Sequence, residues 1–418
     1  MIGIYIKQAW QIMKQNPFYS FISVLSTAVT IAFVMVAYMA YDLNSSDLAP
    51  EVNRTRSIYS ADEYSYRKKD NGNANGGMSY KTAKTITENM PSAELVSFHM
   101  PNRPFTCEAL GGEGNKGRKR GRFVDRNWWN LFDYSFITGR PFSEEEYQAG
   151  RNVVVITERL AREMFQSTDV VGREMLINYE PYSVCGVVKD VSSQFSVAYA
   201  DFWANYLSQK DIEENGYGSE NVAGGTKFIV LAPKGKRENV KQELTSNVER
   251  FNENLQDTVF ELNPKTHNEY TFSDLLGINP MLMYGLLACI FLIIPAVNIS
   301  GLISSMLDKR YEEIGVRKVY GASSVSIINQ FLSENLLLIF LGGVIGLFLS
   351  FLTIYLFRNW LLGVSVAYTA TLNLSWWMFF RPSVFIVAFS GCLLFNLLST
   401  LVPVWYTSKK NITDTLNV

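Results

Sequence analysis

The grouping in this 418-residue chain that comes nearest to a chemical site is Gly112-Glu-Gly-Asn-Lys-Gly117. It matches GxGxxG and approaches a P-loop, with Arg118 and Lys119 where Lys and Ser or Thr would stand. Phosphate binding needs a strand before such a run and a helix after it, so that a helix N-terminus faces the anion. Here Arg118-Lys-Arg-Gly-Arg-Phe-Val124 follows and reads as a loop returning into a strand. The basic run Lys116–Arg122 is then expected as a solvated hairpin edge, where its charges deter strand pairing. Metal chemistry has only His99 and His267 to draw on, and no Cys or His cluster has ligand spacing. Cys107 and Cys185 can pair in an oxidising compartment or stand as two buried thiols, and the sequence allows both. Cys289 and Cys392 lie in uncharged stretches and read as packing residues. No nucleophile stands with a base, so the chain is read as non-catalytic and as binding no cofactor or metal. The 38 basic residues are balanced by 39 acidic ones, which gives no support to nucleic-acid binding.

The elements that carry these residues are set by where charge is missing. Phe18–Tyr41, Gly277–Leu307, Asn335–Phe357 and Pro382–Thr407 contain no charged residue, and each exceeds the roughly 20 residues needed to span a bilayer. The spacing predicts transmembrane helices over 18–41, 277–307, 335–357 and 382–407. Lys7, Lys14, Lys309, Arg310, Arg317, Lys318, Lys409 and Lys410 flank them on one side, against Arg358 and Arg381 in the loop 358–381. The first set is therefore cytoplasmic, and residues 42–276 are exported as one block. The fold class is an α-helical membrane protein with four transmembrane helices and a large mixed α+β periplasmic domain inserted between helices 1 and 2. Within the inserted domain, Asn152–Thr157, Tyr182–Val191 and Thr226–Ala232 read as strands. Ser79–Met90, Thr157–Phe165 and Lys236–Phe251 read as helices, and the Gly-rich stretches Asp70–Gly77 and Gly111–Gly121 as exposed loops or long hairpins.

Residues 1–17 put Ile2, Ile6, Ala9, Trp10 and Met13 on one helical face, as in an interfacial elbow helix or a simple flanking helix. The third span carries Gly342, Gly343, Gly346 and Ser350, a small-residue face for close packing within the chain or across a dimer. The second stretch is too long for the bilayer, about 46 Å as helix, and is expected to project as a stalk. No span holds the ionisable residues that secondary transporters and proton-driven pumps keep as ion sites. A stalk between an outside domain and a cytoplasmic loop is a lever rather than a pore. That loop, 308–334, contains Asp308-Lys-Arg-Tyr-Glu-Glu-Ile-Gly-Val-Arg-Lys-Val-Tyr-Gly-Ala-Ser323, helical in character, with a stop at Gly321 and Ser323 or Ser324 capping the next helix. Gly315 offers backbone for close approach by a partner.

Glu313-Ile-Gly-Val-Arg-Lys-Val-Tyr-Gly-Ala322 strongly resembles the cytoplasmic coupling segment of FtsX/MacB-type ABC transporter permeases. Residues 6–32 are similar to the family's elbow and first span, although Ser26–Thr30 lacks the glycines common there. Val402–Tyr406 and Ile412–Leu416 resemble its C-terminal signature, with Asn411 where proline is usual. Gly139–Phe142, Val153–Phe165 and Tyr182–Asp190 look like the MacB-type periplasmic core domain. The resemblance implies a permease in the bacterial inner membrane, with porter-like and insert subdomains in 42–276 and a cytoplasmic tail over 408–418. It would pair with itself or a similar permease and dock two ATPase subunits, which hold the ATP and Mg. Glu312, Glu313, Ile314, Gly315, Arg317, Lys318, Gly321 and Ala322 would form the ATPase contact. ATP-driven closure would reach the periplasmic domain by mechanotransmission, exporting or extracting a drug, peptide or lipoprotein. A periplasmic adaptor and an outer-membrane channel are further candidate partners. The alternative the resemblance carries is an FtsX-like regulator that transports nothing and activates a periplasmic partner such as a cell-wall hydrolase.

Overall fold

The computed structural model describes residues 14–15, 17–68, 73–75, 77–110, 116–193, 195–209, 216–276, 282–283, 285–287, 289–291, 293, 301, 315–317, 319–361 and 382–409. The chain forms two compact units: residues 1–42, 280–359 and 374–418 make one, and 43–279 with 360–373 make the other. The elbow expected over 1–17, most of the stretch 277–307, the loop 358–381 beyond residue 361 and the tail beyond residue 409 lie outside the described residues.

The first unit is built on long apolar helices. Helix α1 runs Pro17–Ser45. Two described helices are long and apolar enough to cross a membrane, with apolar segments Ser20–Met39 and Val325–Leu356, and a third contains the shorter apolar segment Phe385–Leu401. Polar residues are sorted by face: Ser20, Ser23, Thr27 and Thr30 of α1 are buried, whereas Phe18, Phe21, Leu25, Val29 and Phe33 are exposed. The four buried positions repeat at spacings of three and four, which places them on one stripe of the helix.

The second unit is β-rich. Strands β1 (Ser57–Tyr59), β2 (Tyr64–Arg67) and β3 (Asn73–Asn75) come first, then helix α2 (Tyr80–Thr87) and strands β4 (Leu95–His99), β5 (Arg103–Ala109) and β6 (Gly117–Val124). After α3 (Trp128–Leu131) come β7 (Phe136–Gly139), α4 (Glu144–Gln148), β8 (Val153–Thr157) and α5 (Glu158–Phe165). Then follow β9 (Glu174–Ile177), β10 (Glu180–Val188), β11 (Phe202–Asn205), β12 (Lys227–Leu231), α6 (Arg237–Glu253), β13 (Thr258–Glu261), β14 (Lys265–Thr266) and α7 (His267–Leu276).

Six of these strands close on themselves. The order β11-β8-β10-β9-β5-β6 is completed by a parallel pairing of β11 with β6, with Phe202 opposite Gly121 and Asn205 opposite Val124. Closure removes open edges from this half. The interior is filled by Phe123, Val154, Met175, Tyr182, Phe202 and their neighbours. Gly121 is required there, because a Cβ would fall 1.9 Å from the Phe202 ring. The other half is the antiparallel sheet β14-β1-β12-β4, joined to the barrel where His99 meets Val124. Helices α2 and α6 cover one of its faces through Ala83, Ile86, Val240 and Leu244 against Ile58, Phe228 and Val230.

The strands and helices expected in this domain are present with shifts of one to two residues at most ends. Ser79 and Thr157 cap α2 and α5 through their side-chain oxygens. The break at Gly111–Gly121 belongs to a long hairpin, with β6 returning from Gly117 antiparallel to β5. One expectation needs correction: the basic run is not a solvated edge throughout, because β6 lies between β5 and β11. Arg118 and Arg120 are exposed, but Arg122 is 5% exposed, with its guanidinium 5.3 Å from the centre of the Trp128 ring. Composition marked the run as solvated, while the strand's neighbours decided which of its arginines could reach water.

Candidate functional site

Among the described residues no group of three or more His, Cys, Asp or Glu could hold a metal ion. The GxGxxG run is followed by a strand, not a helix, so it presents no helix N-terminus to an anion. Cys107 and Cys185 are both free thiols, and burial pushes each up to about 12. Cys107 faces Ile177 across β9, and the Cys185 thiol donates to the Val154 carbonyl at 3.4 Å. His99 is buried in the core with its pKa well below the usual histidine value, through burial and then the nearby Arg122 and Lys227 charges.

The loop before the third apolar helix is organised differently. Residues 315–317 and 319 are helical. Gly321 ends that turn in the left-handed region at φ 89°, and the Ala322 amide donates to the Arg317 carbonyl at 3.0 Å. A glycine suits this reversal because a Cβ is disfavoured at positive φ. Helix α8 (Ser324–Leu361) begins at once. Ser323 caps it, its Oγ accepting from the Ser326 amide at 3.3 Å. A short helical turn is thereby joined to a 38-residue helix through a tight, capped corner.

Of the residues expected at a coupling site, Glu312, Glu313, Ile314 and Lys318 lie outside the described residues. Gly315 is buried within the chain, Arg317 and Ala322 are half-buried, and Gly321 is exposed. The Arg317 guanidinium donates to the side-chain carbonyl of Gln330, two turns into α8, and so braces the corner from inside. The large side chains that the described residues of the turn show to solvent are apolar: Val316 is 50% exposed, Val319 62% and Tyr320 87%. Sequence reasoning passed over these three in favour of the charged and glycine positions. The signal was available, since positions 316, 319 and 320 share a helical face in an otherwise charged loop.

In the helical unit the small residues sit at close crossings. A Cβ on Gly342 would fall 2.7 Å from Thr27 Cβ, and one on Gly346 would fall 2.8 Å from the Ala28 carbonyl oxygen and 2.9 Å from Ile31 Cβ. Gly342 and Gly346 thus let the α8 and α1 backbones approach. Gly343 instead faces the Phe389 ring on helix α9 (Pro382–Lys409), at 2.4 Å from the same construction. Ser350 is fully buried and donates to the Leu347 carbonyl at 2.6 Å. Helices α8 and α9 are also bridged by a buried hydrogen bond from the Asn335 amide to the Thr400 hydroxyl, which in turn donates to the Asn396 carbonyl at 2.8 Å. Polar bridges of this kind hold helices together where water is absent.

Comparison with known proteins agrees with this layout. A family model described as MacB-like periplasmic core domain matches residues 20–247, and one described as FtsX-like permease C-terminal matches residues 285–412. The chain is 22% identical over 233 residues to an uncharacterized ABC transporter permease, YknZ, of Bacillus subtilis, covering 54% of each chain. It is 23% identical over 293 residues to the macrolide export ATP-binding/permease protein MacB of Chromobacterium violaceum, covering 70% of this chain and 42% of that protein. The chain therefore spans about half or less of the length of these curated relatives. A crystal structure of the periplasmic region of MacB from Actinobacillus actinomycetemcomitans aligns with 53% of this chain and 93% of that one, at 11% identity and a TM-score of 0.38. With family models matching both of its parts, the chain belongs to the FtsX/MacB-type family of ABC permeases.

Proposed function

We propose that this chain is the non-catalytic membrane subunit of an ATP-driven transporter, with four spans over 18–41, 277–307, 335–357 and 382–407 and residues 42–276 in the periplasm. Two permease chains and two ATPase subunits would make the working unit, with ATP and Mg held on the ATPases. The exposed face of Val316, Val319 and Tyr320 carries this reading. Three large apolar side chains on a turn fixed by Gly321, Ser323 and the Arg317–Gln330 bond form a firm knob that stays exposed among the described residues. A tyrosine anchor such as Tyr320, flanked by apolar neighbours that exclude water, is the kind of side chain that carries much of the energy at protein interfaces. Motion imposed on the knob passes into α8 directly, and into α9 and α1 through the Asn335–Thr400 bond and the Gly342 and Gly346 crossings. Mechanotransmission to the periplasmic domain follows, and with it export or extraction of a drug, peptide or lipoprotein.

The test is co-purification of the chain with its ATPase from cells. Val319→Asp combined with Tyr320→Asp should abolish the complex while the chain still inserts; retention of the complex would refute the docking face. Crosslinking from the periplasmic domain then identifies what is handled. Capture of a lipoprotein or small peptide supports transport, whereas capture of a cell-wall hydrolase replaces it with regulation of that enzyme.

A further inference from the structure

We infer that Glu51 is a positioning residue that ties two chain connections of the β-rich unit, the one entering after α1 and the one leaving at α7, to one point, so that the two rearrange together. Residues 43–56 lead into this unit from α1, and α7 is its last described helix before the uncharged stretch starting at Gly277. Glu51 is 1% exposed. A carboxylate so deeply buried is tolerated only when its oxygens are met by donors. Here the donors come from two separate segments, and a third segment stands at ion-pair distance. Oε2 accepts from Arg54 Nε at 2.6 Å, within the incoming connection. Oε1 accepts from the amides of Val197 at 3.1 Å and Ala198 at 2.8 Å, in the segment before β11. His267, the first residue of α7, places Nε2 3.8 Å from Oε2.

Both partners are braced from behind. His267 is 4% exposed, and its Nδ1 lies 3.1 Å from the Tyr59 hydroxyl on β1. In the tautomer that directs Nε2–H toward Glu51, Nδ1 accepts that hydroxyl's hydrogen. The Tyr59 ring stacks on Tyr270, one turn into α7, at 5.0 Å. Arg54 is 2% exposed, donates back to the Ser46 carbonyl at 3.3 Å and lies 4.8 Å from the centre of the Phe195 ring.

A buried ion pair is a poor means of gaining stability, because an apolar replacement of equal volume often does as well; its best-attested use is to specify one arrangement. Glu51 meets that description. Withdrawal of the incoming connection or the 195–198 segment leaves a buried charge short of donors, and withdrawal of α7 takes away the His267 ring beside it, so each makes the remaining contacts less favourable. The three segments are thereby linked as one cooperative unit, and a displacement of either connection is felt by the other. This adds to the proposed transmission of motion, but its test needs no ATPase, so the two can fail separately.

The experiment is hydrogen exchange read by mass spectrometry on the full chain in lipid nanodiscs. Glu51→Gln should raise exchange about tenfold not only in 51–57 but also at 197–199 and 267–271, as expected when a charge-assisted bond closing a local unit is lost. His267→Leu should loosen 51–57 and 197–199 in the same way, and the double variant should add little to either single one. The milder Tyr59→Phe removes a single oxygen and should produce the same three-segment pattern at smaller amplitude, which guards against misfolding in the first two. Exchange in β12 should not change in any variant. Loosening confined to the altered segment, or effects that multiply in the double variant, would overturn the inference.

Discussion

Placing a methyl group on Gly346 tests whether the helical unit is held by close backbone approach. The Cβ of Gly346→Ala would lie 2.8 Å from the Ala28 carbonyl oxygen, 2.9 Å from Ile31 Cβ and 3.1 Å from Ala28 Cα. Two of these atoms are backbone and cannot rotate aside, so α1 and α8 must separate by several tenths of an ångström. Overpacking of that kind costs about 1–3 kcal/mol. Replacing glycine by alanine inside a helix returns about 1 kcal/mol of propensity. With two rigid backbone contacts the upper part of the overpacking range applies, about 2–3 kcal/mol, so the net loss is about 1–2 kcal/mol, or roughly tenfold in a local opening equilibrium. Gly343→Ala is the control: its Cβ meets only the Phe389 ring and the tip of Ile31, which can turn away. Cys392 offers the readout, being 2% exposed and packed with Ile31 and Met35 of α1. In a Cys289→Ser background, which removes the exposed thiol, maleimide labelling of Cys392 in native membranes should be about tenfold faster for Gly346→Ala. For Gly343→Ala it should change less than about twofold, since a movable ring absorbs the methyl group. Equal labelling of Gly346→Ala and the parent chain would refute the packing argument. So would acceleration by Gly343→Ala alone.

Other expectations follow from the same contacts. Gln330→Leu removes the acceptor for Arg317 and leaves the Val316, Val319 and Tyr320 face intact, so ATPase co-purification should persist while substrate-stimulated ATP turnover falls severalfold; loss of binding itself would show that Arg317 acts at the interface. Burial raises the Asp125 carboxyl to about 7 despite bonds from Ser97 and from the Phe98 and Trp128 amides. The folded state therefore holds this proton to higher pH than the unfolded chain. Stability should fall as pH rises from about 4 to about 7 and then level off, and Asp125→Asn should flatten that part of a melting-temperature profile. Gly121→Ala should destabilise the barrel by about 2–3 kcal/mol because its methyl group lands in the Phe202 ring. Adding Phe202→Leu should recover part of that loss in a thermal melt.

How much could be read beforehand depended on the range of the interactions. Strand β8 and helix α5 were legible because Val153–Thr157 is a run of β-branched residues and Thr157 is a good cap for the helix after it. The apolar helices were legible from missing charge. The barrel's closure was not, since the pairing of Arg122 with Trp203 joins residues far apart in sequence, and no local pattern announces it. The burial of Arg122 followed from that closure and was missed with it. Glu51 carried no sequence signal for the same reason: the amides it accepts from, Val197 and Ala198, and the His267 ring beside it lie far along the chain. At the corner before α8, the charges and glycines of the loop drew the eye past the apolar trio beside them.

The position of β12 bears on how the β-rich unit is made. This strand lies between β4 and β1, yet it comes from residues 227–231, after the whole barrel. Until it emerges, β1 and β4 each present an unpaired edge, and of the two covering helices only α2 is there to shield Ile58 and Val96. Non-local insertion of a central strand delays folding and leaves such edges open to wrong partners. Nascent chains stalled before residue 227 should thus hold a finished barrel beside a half-made sheet, the form in which proteases and chaperones would meet this protein during its synthesis.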